Sequence, residues 1–253
     1  MPRPLFDLAP PRGRARRWKR WVGLAVVLPG AAWWLLHRFP FPLFPHELRR
    51  GVVALHGAAP LAPEAGALVA EADRRLSRSP LYDGRRTYDV FLCDSAALYE
   101  LLAFPHHGTG GETFFWVGNH AFLRPAHLEH DALVGPSGAE VPAPRTFTYF
   151  LAHEVTHAMT ADALGGWRYA RLERWQQDGY ADLVAKAGAF DFEDVRARFR
   201  AGDVALDPER SGLYLRYQLL VVQALEQQHL TVGELLAAPR EPGPIEEALR
   251  ASP

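Results

Sequence analysis

The chain has 253 residues, of which 48% are hydrophobic and 23% are charged, and this balance excludes a protein that is disordered throughout. A net charge of −1 and a pI near 6.8 exclude a general electrostatic attraction to nucleic acid. Because Cys93 is the only cysteine, the sequence also excludes an intramolecular disulfide framework and a zinc site built from cysteines. We therefore predict one globular domain of ordinary composition with no nucleic-acid partner.

The N-terminus has the layout of a membrane-targeting segment. Residues 12–20 carry six Arg or Lys residues, and an uncharged run follows over residues 21–36. This order is typical of a signal peptide or an uncleaved signal anchor. Trp33 and Trp34 occupy the region where a small-residue cleavage site is expected, which favours the anchor.

This layout predicts three N-terminal segments: a basic cytoplasmic tail (1–20), a transmembrane signal anchor (21–38) and a Pro-rich linker (39–60). The linker is predicted because residues 39–45 contain three prolines, which forbid a helix. The excess of basic residues before the anchor places the remaining domain, residues 61–253, on the outer side of the cytoplasmic membrane. Two alternatives stay open: a cleaved signal peptide, and an amphipathic or buried helix of a soluble protein.

The first half of the domain has the pattern of alternating helices and strands. The pattern predicts a helix over 62–78, a strand over 87–93, a helix capped by Asp94 or Ser95, and strands over 113–117 and 121–124. The glycine-rich residues 106–111 are compatible with a phosphate loop, a second metal site or a flexible loop. A strand pattern follows those glycines instead of a helix, which favours the flexible loop. Residues 125–144 are predicted to form a surface connection.

The second half is predicted to be helical. Apolar residues recur at helical spacing over 145–164, 169–187, 213–227 and 231–237. Gly165 and Gly166 end the first of these patterns, and Thr231 is the expected N-cap of the last.

The first of these helical patterns contains the segment His-Glu-Val-Thr-His at residues 153–157. Residues four apart lie on one face of a helix, so His153 and His157 are able to bind one metal ion while Glu154 faces a water molecule beside it. A one-metal hydrolase needs this set, with neutral imidazole ligands, an open position and a carboxylate base. The pentapeptide alone is equally compatible with the solvated side of an amphipathic helix.

A second acidic segment, about one helix downstream, favours the metal site. Residues 175–182 run Trp-Gln-Gln-Asp-Gly-Tyr-Ala-Asp. With residues 153–157 this segment resembles the gluzincins, metallopeptidases in which a His-Glu-x-x-His helix is followed by a helix with Glu-Gly-x-Ala or Glu-x-x-x-Asp. The resemblance implies that Zn²⁺ is held by His153, His157 and Asp178, that Glu154 is the general base, and that Asp182 orients His153. Asp178 stands where the family has glutamate, which shortens the ligand by one methylene.

The resemblance also implies an α+β, zincin-like fold with a small mixed β-sheet and active-site helices. Gly179 is expected to let the two metal-bearing helices approach closely. Gluzincins bind an extended peptide along an antiparallel edge strand above the metal, and our candidates for that strand are Ala121, Phe122 and Leu123. They also bring a Tyr or His from a later helix to the oxyanion of the reaction. The candidates here are Tyr214 and Tyr217, for which packing against the core is an equally good interpretation.

We therefore expect a membrane-anchored zinc metallopeptidase that hydrolyses a peptide or protein substrate. The first alternative is a catalytically inactive zincin-like binding or scaffold domain tethered to the membrane. The second is a soluble helical protein in which the motif occurs by chance. Iron is an alternative to zinc, because it also binds two imidazoles and one carboxylate. The sequence does not specify the substrate, the choice between endo- and exopeptidase action, or the oligomeric state.

Overall fold

The computed structural model describes residues 25, 27–106, 108–211 and 213–251. The chain divides into two compact units, residues 1–40 and 41–253. In the first unit, residues 27–38 are helical. Within the described ranges, no helix has the length and apolar character needed to cross a bilayer. The predicted basic tail, residues 1–20, and the first four residues of the predicted anchor lie outside the described residues.

The second unit contains a five-stranded mixed sheet. Its strands are β1 (His46–Arg50), β2 (Val53–Gly57), β3 (Tyr88–Leu92), β4 (Gly111–Phe114) and β5 (His120–Leu123), in the order β1-β2-β3-β5-β4. Strands β2, β3 and β5 are parallel, while β1 and β4 are antiparallel to their neighbours at the two edges. A separate two-stranded sheet joins β6 (Ala126–His127) to β7 (Ala132–Leu133).

Ten α-helices accompany these strands in the described part of this unit. They are α1 (Ala65–Leu76), α2 (Ala96–Leu102), α3 (Phe147–Leu164), α4 (Gly166–Tyr169), α5 (Arg174–Lys186), α6 (Phe192–Arg200), α7 (Pro208–Ser211), α8 (Leu215–Val222), α9 (Val232–Leu235) and α10 (Gly243–Ala251). A π-helical turn, Gln223–Gln227, continues α8, and three short 3₁₀ turns cover Phe41–Leu43, Leu128–His130 and Val204–Leu206. The small mixed sheet and the helices confirm the predicted combination of helices with a small mixed β-sheet.

The predicted boundary between linker and domain is wrong. Strands β1 and β2 both lie inside the predicted linker, residues 39–60, and pair along their whole length from His46–Gly57 to Arg50–Val53. Every residue of β2 is buried, because this strand lies between β1 and β3. The three prolines of residues 39–45 precede β1 and therefore do not interrupt the sheet.

Helix α3 passes through the centre of the unit. It packs against α1 and α5 on one side and against β4 and β5 on the other. Fourteen of its 18 residues are buried, as expected of a helix that has neighbours all round. Its N-terminus is capped twice: Thr146 Oγ1 accepts a hydrogen bond from the backbone of Tyr149, and Asp131 Oδ1 accepts one from the backbone of Thr148. The pentapeptide 153–157 therefore lies on a helix held from several directions.

Gly179 serves a different contact from the one predicted. A Cβ atom at this position would lie 2.4 Å from the carbonyl oxygen of Tyr217 and 2.9 Å from Cγ2 of Val221. Both neighbours belong to α8, so the glycine permits close packing of α5 on α8 and not of α5 on α3. The expectation that it brings the two metal-bearing helices together is wrong.

Candidate metal centre

Three metal-ligand atoms converge between α3 and α5. The Nε2 atoms of His153 and His157 lie 3.1 Å apart. Asp178 Oδ1 lies 4.0 Å from the Nε2 atom of His153 and 3.5 Å from that of His157. A tetrahedral zinc ion with bonds of about 2.1 Å separates its ligand atoms by about 3.4 Å, so the triangle has the size that zinc requires. The three residues that the sequence predicts as ligands are brought together.

The second nitrogen of each histidine faces an oxygen. His157 Nδ1 lies 2.6 Å from the hydroxyl of Tyr169, in α4. His153 Nδ1 lies 3.1 Å from Asp182 Oδ1, although its N–H is not aimed along a linear hydrogen bond. With a proton on each Nδ1, both Nε2 lone pairs and a carboxylate oxygen point into the same small space. In that tautomer the three acceptors fit a metal ion placed between them.

The protonation of the two rings supports the same conclusion. Burial lowers the pKa of His153, but the carboxylates of Asp182, Glu154 and Asp178 outweigh burial and leave that pKa above its ordinary value. The pKa of His157 is well below its ordinary value because of burial and because of its neighbour His153. Without a metal, positive charge is therefore favoured on His153 and disfavoured on His157.

Asp182 accepts hydrogen bonds from α3 and from its own helix, α5. The hydroxyl of Tyr149 in α3 donates to Oδ1, and Lys186 in α5 donates to Oδ2. The same ammonium group lies 3.0 Å from Oε1 of Gln218 in α8. Although burial opposes ionisation, the contacts with His153 and Lys186 lower the pKa of Asp182 to about 2. Asp182 is therefore a negative charge 3.1 Å from the Nδ1 atom of His153, the residue that it was predicted to orient.

Asp178 has one oxygen directed at the histidines and the other held by Arg174. Arg174 Nε donates to Asp178 Oδ2 at 3.0 Å, one helical turn away in α5. Burial raises the pKa of Asp178, and His153 and Arg174 oppose that shift. The arginine side chain is 63% exposed, so it is the part of the centre that is open to solvent.

Glu154 lies against the edge strand β4. Thr113 Oγ1 lies 2.7 Å from Glu154 Oε2 and 3.0 Å from the backbone oxygen of the same residue. A Cβ atom at Gly111 would lie 2.6 Å from Glu154 Cγ, which explains why this strand begins with glycine. Burial raises the pKa of Glu154 to about 7, despite the opposing effects of His153 and Thr113. A carboxyl group with such a pKa exchanges a proton readily near neutral pH.

These side chains line a cleft of about 810 Å³. Its walls include the ligands, Glu154, residues 108–113 of the glycine-rich loop and β4, and Tyr149, Tyr169, Arg145, Arg174 and Tyr214. The glycine-rich loop is thus a wall of the cleft. Glu112 also lines the cleft, and its Oε1 lies 2.8 Å from His106 Nδ1. Burial raises the pKa of Glu112, while His106 opposes the shift.

The two predicted tyrosines have different positions. The ring of Tyr214 stacks on that of His153 with centroids 5.7 Å apart, and Tyr214 lines the cleft. Burial raises its pKa, so the hydroxyl stays protonated. The ring of Tyr217 is stacked with that of Tyr214, with centroids 5.9 Å apart, and Tyr217 does not line the cleft. Only Tyr214 is in place to face a substrate.

The predicted edge strand is wrong. Ala121, Phe122 and Leu123 belong to β5, which lies between β3 and β4 and is buried along its length. The edge above the cleft is β4, whose register places Thr113 opposite Ala121. The sequence pattern showed two neighbouring strands, but it carries no information about which of them lies outside.

Sequence reasoning missed five residues that contact or line the centre: Tyr149, Tyr169, Thr113, Glu112 and Arg174. Tyr149 has a detectable signal, since it precedes His153 by one helical turn. Tyr169, Thr113 and Glu112 reach the site through the tertiary fold, and no local spacing indicates them. Comparisons of the chain with protein-family models, with curated proteins and with solved structures find no match.

Proposed function

We propose that this protein is a zinc-dependent peptidase whose metal ion is held by His153, His157 and Asp178. The observation that carries the proposal is the triangle of ligand atoms, 3.1 to 4.0 Å on a side, with a buried glutamate of raised pKa beside it. A structural zinc site has four protein ligands, whereas three ligands that face a cleft leave a position for water and substrate. The site therefore supports hydrolysis better than a purely structural role.

When bound, zinc supplies Lewis acidity toward water and the scissile carbonyl. Glu154 accepts the proton of the attacking water and passes it to the leaving amine. In the metal-free site burial raises the pKa of Glu154 to about 7, so the carboxylate and the carboxylic acid are each accessible there near pH 7. Asp182 and Tyr169 keep the two imidazoles in one orientation and one tautomer.

The cleft also offers groups for substrate binding. The edge strand β4 runs beside Glu154, and an extended peptide adds to this edge by backbone hydrogen bonding, in place of the predicted Ala121–Leu123 segment. The protonated hydroxyl of Tyr214 is the candidate donor to the oxyanion that forms at the scissile carbonyl. Tyr217 is assigned to packing beneath it. Attachment to the outer face of the cytoplasmic membrane through residues 21–38 remains a prediction from the sequence.

The decisive test is the metal content of the full-length chain after dialysis against a mild chelator, measured beside His153→Ala and Asp178→Ala. We expect one tightly held zinc ion per wild-type chain and none in either variant. Circular dichroism shows whether the variants are folded. The wild-type protein should then cleave members of a peptide library and be inhibited by a hydroxamate, which binds zinc through the open position.

Two results would overturn parts of this proposal. A folded wild-type chain that retains no zinc after reloading would remove the metal site. A chain that retains zinc but neither cleaves any peptide nor binds a hydroxamate would instead be the inactive binding domain of the alternative.

A further inference from the structure

A second cluster of metal-ligand side chains lies in the connection between β5 and α3. His127 ends β6, His130 ends the 3₁₀ turn that follows it, and Glu140 pairs with Val134 in an isolated β-bridge. Ligand atoms of these three residues lie within 4.8 Å of one another. None of the three lines the cleft described above.

Both imidazoles contact the same carboxylate oxygen of Glu140. Its Oε1 lies 2.7 Å from Nδ1 of His127 and 2.8 Å from Nδ1 of His130. The two rings are 6.1 Å apart and nearly perpendicular, at 89°. The ligand atoms of a tetrahedral zinc ion are separated by about 3.4 Å, so exchanging the bridging protons for an ion opens the cluster by about half an ångström.

We propose that His127, His130 and Glu140 form a second binding site, for a late first-row divalent cation such as zinc. Two imidazoles and one carboxylate are the ligand set that such ions prefer over magnesium or calcium. On binding, each ring presents the Nδ1 lone pair to the ion and carries its proton on Nε2. The site is solvent-exposed, so water completes the coordination shell.

Backbone hydrogen bonds fix the positions from which these side chains start. Asp131 N donates to Leu128 O at 3.3 Å, which closes the turn that carries His130. Val141 N donates to Leu133 O at 2.7 Å, which fixes the segment after Glu140. Because the backbone is ordered, an ion has to immobilise only the side chains.

The site is connected to the N-terminus of α3. Asp131 directly follows His130, and its Oδ1 lies 2.7 Å from Thr148 N and 2.8 Å from Thr148 Oγ1. Its carbonyl oxygen accepts from Phe147 N at 2.8 Å. Asp131 has φ 49°, in the left-handed region, so it makes these contacts only while the turn keeps its shape. A metal ion across residues 127–140 thus stabilises the cap of the helix that carries His153, Glu154 and His157.

The test is a zinc titration of the full-length chain that does not depend on the cleft. In His157→Ala, which lacks a ligand of the buried centre, we expect one remaining zinc equivalent by native mass spectrometry and calorimetry. Adding His130→Ala should remove that equivalent or weaken it by at least about tenfold, since even the loss of an outer-shell partner costs 10–100-fold. His46→Ala, a change of another histidine outside both clusters, should keep it.

A second measurement covers the case in which His157→Ala is unstable. The wild-type chain should bind two zinc ions, and Glu140→Gln should lose the weaker one alone. Zinc bound at the weaker site should slow amide hydrogen exchange in residues 127–141 and in the first turn of α3. If the folded His157→Ala chain binds no zinc, or if His130→Ala and Glu140→Gln leave the second equivalent unchanged, the cluster is a pair of surface ion pairs and the proposal is wrong.

Discussion

Two clusters of this protein contain the same donor set, two imidazoles and one carboxylate, in opposite environments. The side chains of His153, His157 and Asp178 are 5%, 12% and 13% exposed. Those of His127, His130 and Glu140 are 50%, 62% and 41% exposed. The members of the exposed cluster contact one another. Each member of the buried cluster also contacts a residue outside the triangle: Asp182 for His153, Tyr169 for His157 and Arg174 for Asp178. The two clusters therefore differ in burial and in their outer partners, and not in the identity of their ligand groups.

The largest expected difference between the clusters concerns catalysis. Glu154→Gln should keep the buried zinc ion but lower kcat/KM for peptide hydrolysis by about 10²–10⁴-fold, because the amide accepts no proton from water. Glu140→Gln makes the same change in the exposed cluster and should leave hydrolysis within about twofold. Peptide turnover by both variants checks this, and an active Glu154→Gln chain would contradict the assigned base.

The second prediction concerns stability without metal. Because burial raises the pKa of Glu154 from 4.5 to about 7, the folded state favours the neutral acid. The contribution of the Glu154 carboxyl group to the free energy of unfolding, relative to Glu154→Gln, is therefore fully present below pH 4.5. It is lost as the pH rises through 7. At pH 8 the chelated variant should be more stable by about 2–3 kcal/mol. Urea unfolding at pH 5 and pH 8 measures the difference, and equal gaps at both pH values would refute it.

The third prediction tests the outer partners. Tyr169→Phe removes the hydroxyl 2.6 Å from His157 Nδ1 and should weaken binding of the buried zinc by about 10–100-fold. Tyr180→Phe is the matched control, since Tyr180 is also buried but its hydroxyl contacts Ser79 away from the centre. Competition with a chromogenic chelator gives both affinities. Equal affinities would mean that the outer partner contributes nothing.

The smallest effect is expected at the exposed cluster in the absence of metal. Contacts of Glu140 with His127 and His130 lower the pKa of Glu140, but solvent screens exposed ion pairs. Glu140→Gln should therefore leave the melting temperature of the chelated protein unchanged within error, while abolishing the increase that zinc produces at the second site. A melting curve with and without zinc separates the two effects.

The elements that the sequence predicts best are those with long, regular patterns. Helix α3 was expected over 145–164 and spans Phe147–Leu164, and Thr146 caps it. Strand β3 was expected over 87–93 and spans Tyr88–Leu92, followed by the predicted Ser95 cap. The predicted spacing of His153, His157, Asp178 and Asp182 holds, because one helix fixes each pair and the two helices pack together.

The elements that the sequence does not predict depend on long-range pairing. Strand β2 is buried because it pairs with β3, more than 30 residues later, while β1 is a partly exposed edge strand that pairs with β2. The identity of the edge strand depends on the order of the sheet, which alternation of polar and apolar residues does not encode. Tyr169 is the last residue of the short helix α4, which begins directly after Gly165, so its position beside His157 depends on the path of the chain after α3.

The hydroxyl of Thr113 contacts two oxygen atoms of Glu154 and is able to donate its hydrogen to either of them. It has one hydrogen and two oxygen neighbours, the carboxylate and the backbone carbonyl of Glu154. When Glu154 is ionised, the hydroxyl donates to the carboxylate; when Glu154 is protonated, the hydroxyl turns, donates to the carbonyl and accepts from the acid. The contact between Thr113 and Glu154 Oε2 is therefore kept in both protonation states, through rotation of the Thr113 O–H bond. Thr113→Ser keeps the hydroxyl that contacts Glu154, and Thr113→Val removes it. The pH profiles of kcat/KM for peptide hydrolysis should therefore differ between the two variants.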